Sequence, residues 1–290
     1  MSHNHTDRNI RRVQIALVLT GAFMIVEVIG GILSGSLALL ADAGHMLTDT
    51  MALALAAVAF RVSSRPADSR RSYGYQRFQI LAAFVNGLSL LIIVGWILIE
   101  AVRRLMSPSE VMGPMMLAVA SAGLLVNIFA FVVLHGGDKD NLNIQSAALH
   151  VAGDLLGSVA AIVAAIVIIY TAWMPIDPIL SVLVALLILR SAWHLVKRSA
   201  HILLEGAPEW LNKDNMQERL VERVPAVASI HHVHVWGLTP QHLMLTMHVA
   251  LTGNPQEPTA VIRNIKGVLR EDFGISHSTI EIETVDCADD

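Results

Sequence analysis

Ala41-Asp42-Ala43-Gly44-His45-Met46-Leu47-Thr48-Asp49 and Ala148-Leu149-His150-Val151-Ala152-Gly153-Asp154 each place an aspartate four residues after a histidine, inside a stretch apolar enough to cross a bilayer. Residues four apart share one face of an α-helix, so each segment presents an imidazole beside a carboxylate. An ionisable group in a membrane costs about 2.5–3.5 kcal/mol on insertion scales and persists chiefly where it binds or carries something. Two such pairs facing each other offer two nitrogens and two oxygens, a shell that suits a four-coordinate divalent metal such as zinc. The plainer reading makes each pair a hydrogen-bonded couple that serves packing. It explains one pair more easily than two, because polar contacts between membrane helices contribute only about 0.6 kcal/mol on average. The residues read as the centre of a membrane metal transporter.

Composition agrees. Of 290 residues, 54% are hydrophobic and 15% charged, too apolar for a soluble chain of this length. The single cysteine, Cys287, excludes an intrachain disulfide framework and a cysteine-rich zinc site. The net charge of −4 decides nothing, since the charges are unevenly placed. Stretches near the ~20 residues that a bilayer core requires lie at about Val13–Leu33, Leu37–Phe60, Phe78–Ile99, Met115–Leu134, Ile144–Trp173 and Ile179–Val196. The first is too long and too evenly apolar for a cleaved secretory signal. Arg8, Arg11 and Arg12 precede the first span, Arg61, Arg65, Arg70, Arg71 and Arg77 separate the second and third, Lys139 follows the fourth, and Lys197 and Arg198 close the sixth. Only Arg103 and Arg104 stand out on the opposite side, so the positive-inside rule places both termini in the cytoplasm.

Beyond Glu205-Gly206-Ala207-Pro208 the pattern becomes that of a small soluble domain. Asn212–Val224 and Thr259–Phe273 read as amphipathic helices, and Val227–Trp236, Met244–Leu251 and Ser278–Val285 as strands, which makes a compact α+β layer. The expected organisation is an N-terminal tail over 1–12, a six-helix α-helical membrane domain over 13–200, a linker over 201–208 and a cytoplasmic domain over 209–290. At roughly 80 residues that last domain has a limited core, so dimerisation or bound metal is expected to support it.

The run Gly30-Gly31-Ile32-Leu33-Ser34-Gly35-Ser36-Leu37-Ala38-Leu39-Leu40, continuing through the first His–Asp pair, closely resembles the cation diffusion facilitator family, in particular its bacterial zinc-exporting branch. Ser72-Tyr73-Gly74-Tyr75, Ile80-Leu81-Ala82-Ala83-Phe84, Ala147-Ala148-Leu149-His150 and Asp177-Pro178-Ile179-Leu180-Ser181 fit the same family, and the likeness runs from about Arg11 to Glu283. The resemblance implies a homodimer of six-helix protomers in the inner membrane, each with a ferredoxin-like, metallochaperone-like cytoplasmic domain. It implies Zn²⁺ export in exchange for protons by alternating access, with His45, Asp49, His150 and Asp154 as the transport site. By position it implies His231, His248 and Glu283 as a cytoplasmic metal site; the family's usual pattern there is incomplete in this sequence, and the tail Asp286-Cys287 is able to close a shell. The expected partners are a second copy, lipid and protons, with no nucleic acid.

Some relatives carry a further metal site between the second and third spans, built from an aspartate and two histidines. Here Asp68 remains, but Arg71 and Tyr75 stand where imidazoles are needed, so a guanidinium is expected to pair with the carboxylate and no metal is expected there. Asp42 either lines the outer mouth or serves as a cap or hydrogen-bonding group, and Glu27 is either a relay carboxylate or pairs with another helix. Asp177 before Pro178 reads as a helix N-cap. Strand alternation puts His231 with Val233 and Val235, and His232 and His234 on the face of Trp236. His3 and His5 read as part of a disordered tail, with weak metal capture as the alternative.

Other metals and classes remain open at this point. Two histidines with two aspartates also accept Cd²⁺, Co²⁺ or Fe²⁺. An intramembrane zinc enzyme is disfavoured because no His-Glu-x-x-His helix occurs, and a catalytic zinc usually keeps three protein ligands and an open position. A membrane-anchored metal sensor has no need of four ligands in two spans. A non-enzymatic, proton-coupled divalent metal exporter is the expectation.

Overall fold

The computed structural model describes residues 3–63, 65–135, 142–253, 257–283 and 287. Six long helices come first: α1 (His3–Ser34), α2 (Leu37–Ser63), α3 (Phe78–Met106), α4 (Gly113–His135), α5 (Leu142–Thr171) and α6 (Ile176–Leu203). Among the described residues, four stretches, Phe78–Met106, Gly113–Val133, Asp154–Thr171 and Ile176–Leu203, are long and apolar enough to cross a membrane, and Val18–Ser34 and Leu37–Thr48 are shorter apolar helices. Ile92, Leu125, Leu156 and Leu187 are each at least 65% exposed on these helices, which suits lipid and not water. This is a multi-pass membrane protein.

Helix packing rests on small residues. Ala41, Ala101, Ala120, Ala130, Ala164, Ala165, Ala185 and Ala192 have no exposed surface, and such positions let helix backbones approach closely without a large hydrophobic drive between them. Leu37 and Ala41 of α2 join a core with Val94 and Ile97 of α3 and Ala185 and Ile188 of α6. The adjacent Ala38 and Leu39 join a different core with Met116 and Ala120 of α4 and Ala161, Ala164 and Ala165 of α5. The first turn of α2 is therefore gripped from two sides.

α1 begins at His3, not at Val13, so the expected tail is helical within the described residues. Nothing between His3 and Val13 breaks a helix, since that stretch contains neither glycine nor proline. The sixth helix likewise outruns its apolar stretch, ending at Leu203. The chain then turns through Glu205 (φ 61°), and Gly206 N–H donates to the His201 carbonyl at 2.8 Å. A Cβ on Gly206 would lie 2.2 Å from the His201 ring, so any other residue there would displace that ring. Asp177 does not cap its own helix. It is the second residue of α6, and its carboxylate instead receives the N–H groups that open α2.

The terminal domain contains α7 (Lys213–Arg223), β1 (Val227–Thr239), β2 (His242–Leu251), α8 (Pro258–Phe273) and β3 (His277–Glu283). The sheet order is β1-β2-β3, with β1 antiparallel and β3 parallel to β2. Asn212 caps α7, its side chain accepting from Asp214 and Asn215 N–H, and α8 stops at Gly274 in the left-handed region. Met216 and Leu220 of α7 and Ile265 and Leu269 of α8 bury against Val235, Leu245, Met247 and Val249 of the sheet. Val285 and Asp286, at the expected end of the last strand and in the tail, lie outside the described residues, as does Lys139.

The chain divides into two compact units. One comprises residues 1–55 and 85–195, the other residues 56–84 and 196–290.

Candidate metal centres

Both His–Asp pairs fall on long helices. α2 carries His45 and Asp49, and α5 carries His150 and Asp154. The Asp154 side chain is buried and His45 is half-buried, whereas the side chains of Asp49 and His150 lie outside the described residues. The two helices meet next to the pairs. Gly157, three residues after Asp154, lies so close to Asp42, three residues before His45, that a Cβ there would be 2.9 Å from Asp42 Oδ1. Gly44 packs against Ile93 of α3, where a Cβ would sit at 3.1 Å. Asp42 is inside α2 and buried, so it is no cap; its carboxylate lies over α5. Glu27 is buried against Gly123 of α4, and Asn127 of α4 donates to Ser158 Oγ of α5 at 3.4 Å. Polar groups thus converge where α1, α4, α5 and α2 pack.

The second cluster sits on the terminal sheet, on the face opposite α7 and α8. His231 pairs with His248 across the β1–β2 ladder, and His234 pairs with Thr246. Three steps on β1 therefore match two on β2, which is a bulge, and its extra residue His232 takes φ 48°. Strict alternation fails here. The bulge returns His232 to the side of His231, with ring centroids 5.2 Å apart, and brings it 4.9 Å from His248. One ligand atom each from His231, His232, His248 and Cys287 lies within 4.8 Å of the others. Cys287 Sγ is 3.6 Å from His248 Nδ1 and 3.8 Å from His232 Nδ1. Three imidazoles and a thiol form a borderline-soft set of a kind zinc accepts.

Glu283, the third residue implied at this site, bridges two of the imidazoles. Its Oε1 lies 2.8 Å from His248 Nδ1 and its Oε2 2.9 Å from His231 Nε2. Burial pushes this carboxyl up, but the hydrogen bonds from Cys287 and His248 and the nearby imidazoles outweigh that and hold it below its ordinary value. Alternation on β3 puts Glu281 on the same face, 3.6 Å from His248 Nε2. Regular alternation along β1 separates His232 from His231, and only the bulge brings the two together. The adjacent His231-His232 was the available signal.

Between α2 and α3, Asp68 is engaged by its own loop. Oδ1 accepts from Arg70 and Arg71 N–H at 2.8 Å each, and Oδ2 from the Tyr75 hydroxyl at 2.8 Å. The Arg71 guanidinium lies over the Tyr75 ring at 4.6 Å and donates to its hydroxyl. The Tyr75 hydrogen bond above all holds the Asp68 carboxyl below its usual range. Arg77 Nη2 donates to Glu205 Oε1 at 3.1 Å within the same compact unit.

Residues 13–204 match the cation efflux transmembrane domain, and residues 213–285 match the cytoplasmic domain of cation efflux proteins. The chain belongs to the cation efflux family. It is 50% identical over 294 residues to the zinc transporter ZitB of Pectobacterium atrosepticum, covering 100% of this chain and 91% of that protein. Its identity to the zinc transporter ZitB of Escherichia coli K12 is 50% over 293 residues, 99% of this chain and 93% of the other. A cadmium, cobalt and zinc/H⁺-K⁺ antiporter of Bacillus velezensis is 42% identical over 288 residues, 98% of this chain and 91% of its own. As a member of this family the chain is a cation efflux transporter.

Proposed function

We propose that this chain exports Zn²⁺ from the cytoplasm across the inner membrane in exchange for protons, as a homodimer with both termini cytoplasmic. The observation that carries the reading is full-length likeness to proteins named as zinc transporters, in a chain whose α2 and α5 each bear a His-x-x-x-Asp pair where the two helices meet. His45, Asp49, His150 and Asp154 are assigned as the ligands of the transported ion. Neutral imidazole and ionised carboxylate bind zinc, so loading displaces whatever protons these groups hold. On the cytoplasmic side metal is supplied and the site loads. On the acidic far side protons compete for the same ligands and the ion leaves. Exclusion of one by the other at a single site suffices for antiport under alternating access.

The cytoplasmic cluster is assigned as a second metal site, with His231, His232, His248 and Cys287 as ligands. Glu283, named from family position, either completes the shell or orients the imidazoles from behind. The membrane domain is assigned to residues 13–200 and the cytoplasmic domain to 209–290, joined by 201–208.

Reconstitution into liposomes with an imposed pH gradient and a panel of Zn²⁺, Cd²⁺, Co²⁺ and Fe²⁺ tests the proposal. Zn²⁺ movement driven by the gradient is the expected result. Concentrative movement that needs ATP or Na⁺ and ignores pH would refute it. The name of the 42%-identical relative favours Cd²⁺ and Co²⁺ as second substrates, and competition within the same panel ranks them.

A further inference from the structure

Asp177 has no part in the transport site, yet its carboxylate is fully buried and committed to another helix. Oδ1 accepts from the Ser36 hydroxyl at 2.7 Å and from Ala38 N–H at 3.2 Å, and Oδ2 accepts from Leu37 N–H at 2.7 Å. Leu39 N–H goes to Ser36 Oγ at 3.2 Å and Leu40 N–H to the Ser36 carbonyl at 3.4 Å. Every N–H that the first turn of α2 leaves without a helical partner is thereby accounted for, two of them by a residue of α6. Arg104 of α3 completes the arrangement. Its guanidinium lies 3.9 Å from Asp177 Oδ2, donates to the Gly35 carbonyl and is itself held by Glu100 at 3.0 Å.

A helix needs no such device merely to be capped. Serine already stands at position 36, and an aspartate there would cap α2 from its own chain segment at least as well. What the observed arrangement adds is a tie from α2 to α6 and α3. It acts on the turn where α2 passes between two cores, Leu37 and Ala41 facing α3 and α6, and Ala38 and Leu39 facing α4 and α5. At a rise of 1.5 Å per residue, His45 and Asp49 lie about 12 and 18 Å further along the same helix. We infer that Asp177 is a positioning residue for transport: by holding the start of α2 from α6, it sets the depth and rotation at which His45 and Asp49 meet the pair on α5. The inference rests on the transport site proposed above.

The test compares the full chain with Asp177→Ala, and with Asp177→Ala combined with Ser36→Asp, which returns a carboxylate cap to α2 without the tie to α6. Asp177→Ala is expected to lower Zn²⁺ flux by about tenfold or more. The double variant is expected to regain wild-type membrane insertion and thermal stability while its apparent KM for Zn²⁺ stays raised by about tenfold, a change that capping alone does not produce. Equilibrium Zn²⁺ binding to the solubilised protein, with His45→Ala as the blank, is expected to weaken in parallel. Wild-type flux and binding in the double variant, or Asp177→Ala within about twofold of wild type, overturn the inference. If the wild-type protein itself moves no Zn²⁺, the proposed function fails, and the positioning role is then decided by the binding measurement alone.

Discussion

His232 shows how one residue can trade backbone strain for a place in a cluster. A non-glycine residue in the left-handed region costs on the order of 1–3 kcal/mol, although histidine tolerates it better than most. His232→Gly is therefore expected to leave the thermal stability of the metal-free protein unchanged or higher while weakening cytoplasmic Zn²⁺ binding by about tenfold, as read by chelator competition. His232→Val loses the same ligand and also the tolerance for that conformation, so it should lower the melting temperature as well. In the membrane, His45→Ala, Asp49→Ala, His150→Ala and Asp154→Ala are each expected to abolish gradient-driven Zn²⁺ flux without preventing insertion. One missing ligand leaves an incomplete shell around an ion in low dielectric. Near-normal flux in any two of these variants removes the four-ligand site.

Pairs of elements are joined by charged groups of uneven weight. Arg223 Nη1 of α7 donates to both oxygens of Asp272 at the end of α8, at 2.8 and 3.0 Å, and Arg219 Nε adds a contact at 3.4 Å. The Arg223 hydrogen bonds hold the Asp272 carboxyl below its usual value. A carboxyl depressed in the folded state contributes stability above its ordinary pKa, near 3.9, and loses it as the pH falls through the depressed value. Asp272→Asn should therefore lower the melting temperature of the detergent-solubilised chain slightly at neutral pH, with the difference closing below about pH 4. A difference that persists in acid would point to packing instead. The Arg77–Glu205 pair is a second such link, partly exposed on both sides and so modest in stability. Arg77→Glu is expected to impair Zn²⁺ transport, and adding Glu205→Arg to restore part of it. No restoration would reduce Arg77 to an ordinary positive-inside arginine.

For the molecule as a whole, the coupling ion is the open quantity that chemistry constrains most. An imidazole binds a proton or a transition metal and has little affinity for an alkali cation. In everted vesicles a protonophore is expected to abolish concentrative Zn²⁺ uptake, whereas exchanging K⁺ for Na⁺ should leave it within about twofold. A loss of uptake on removing K⁺ would assign that ion a share in the exchange. Much of this architecture was legible in the chain itself. Hydropathy over a bilayer's length marks helices whatever their neighbours, runs rich in β-branched residues mark the strands, and the paired His-x-x-x-Asp spacing places an imidazole and a carboxylate on one face of each of two helices. Those signals are local, since each depends on residues within a turn or two. Contacts between residues far apart in sequence had no such signature. Asp177 looked like the cap of its own helix because aspartate before proline satisfies local rules, yet it caps α2, 140 residues away, where burial removes water as an alternative partner. Strand alternation puts His232 with His234 and Trp236 and away from His231, whereas the register between β1 and β2 carries an extra residue there and turns its ring toward His231 and His248. Local sequence set what each element is; which side chains meet was decided by packing, because only packing determines where a buried polar group can find its partner.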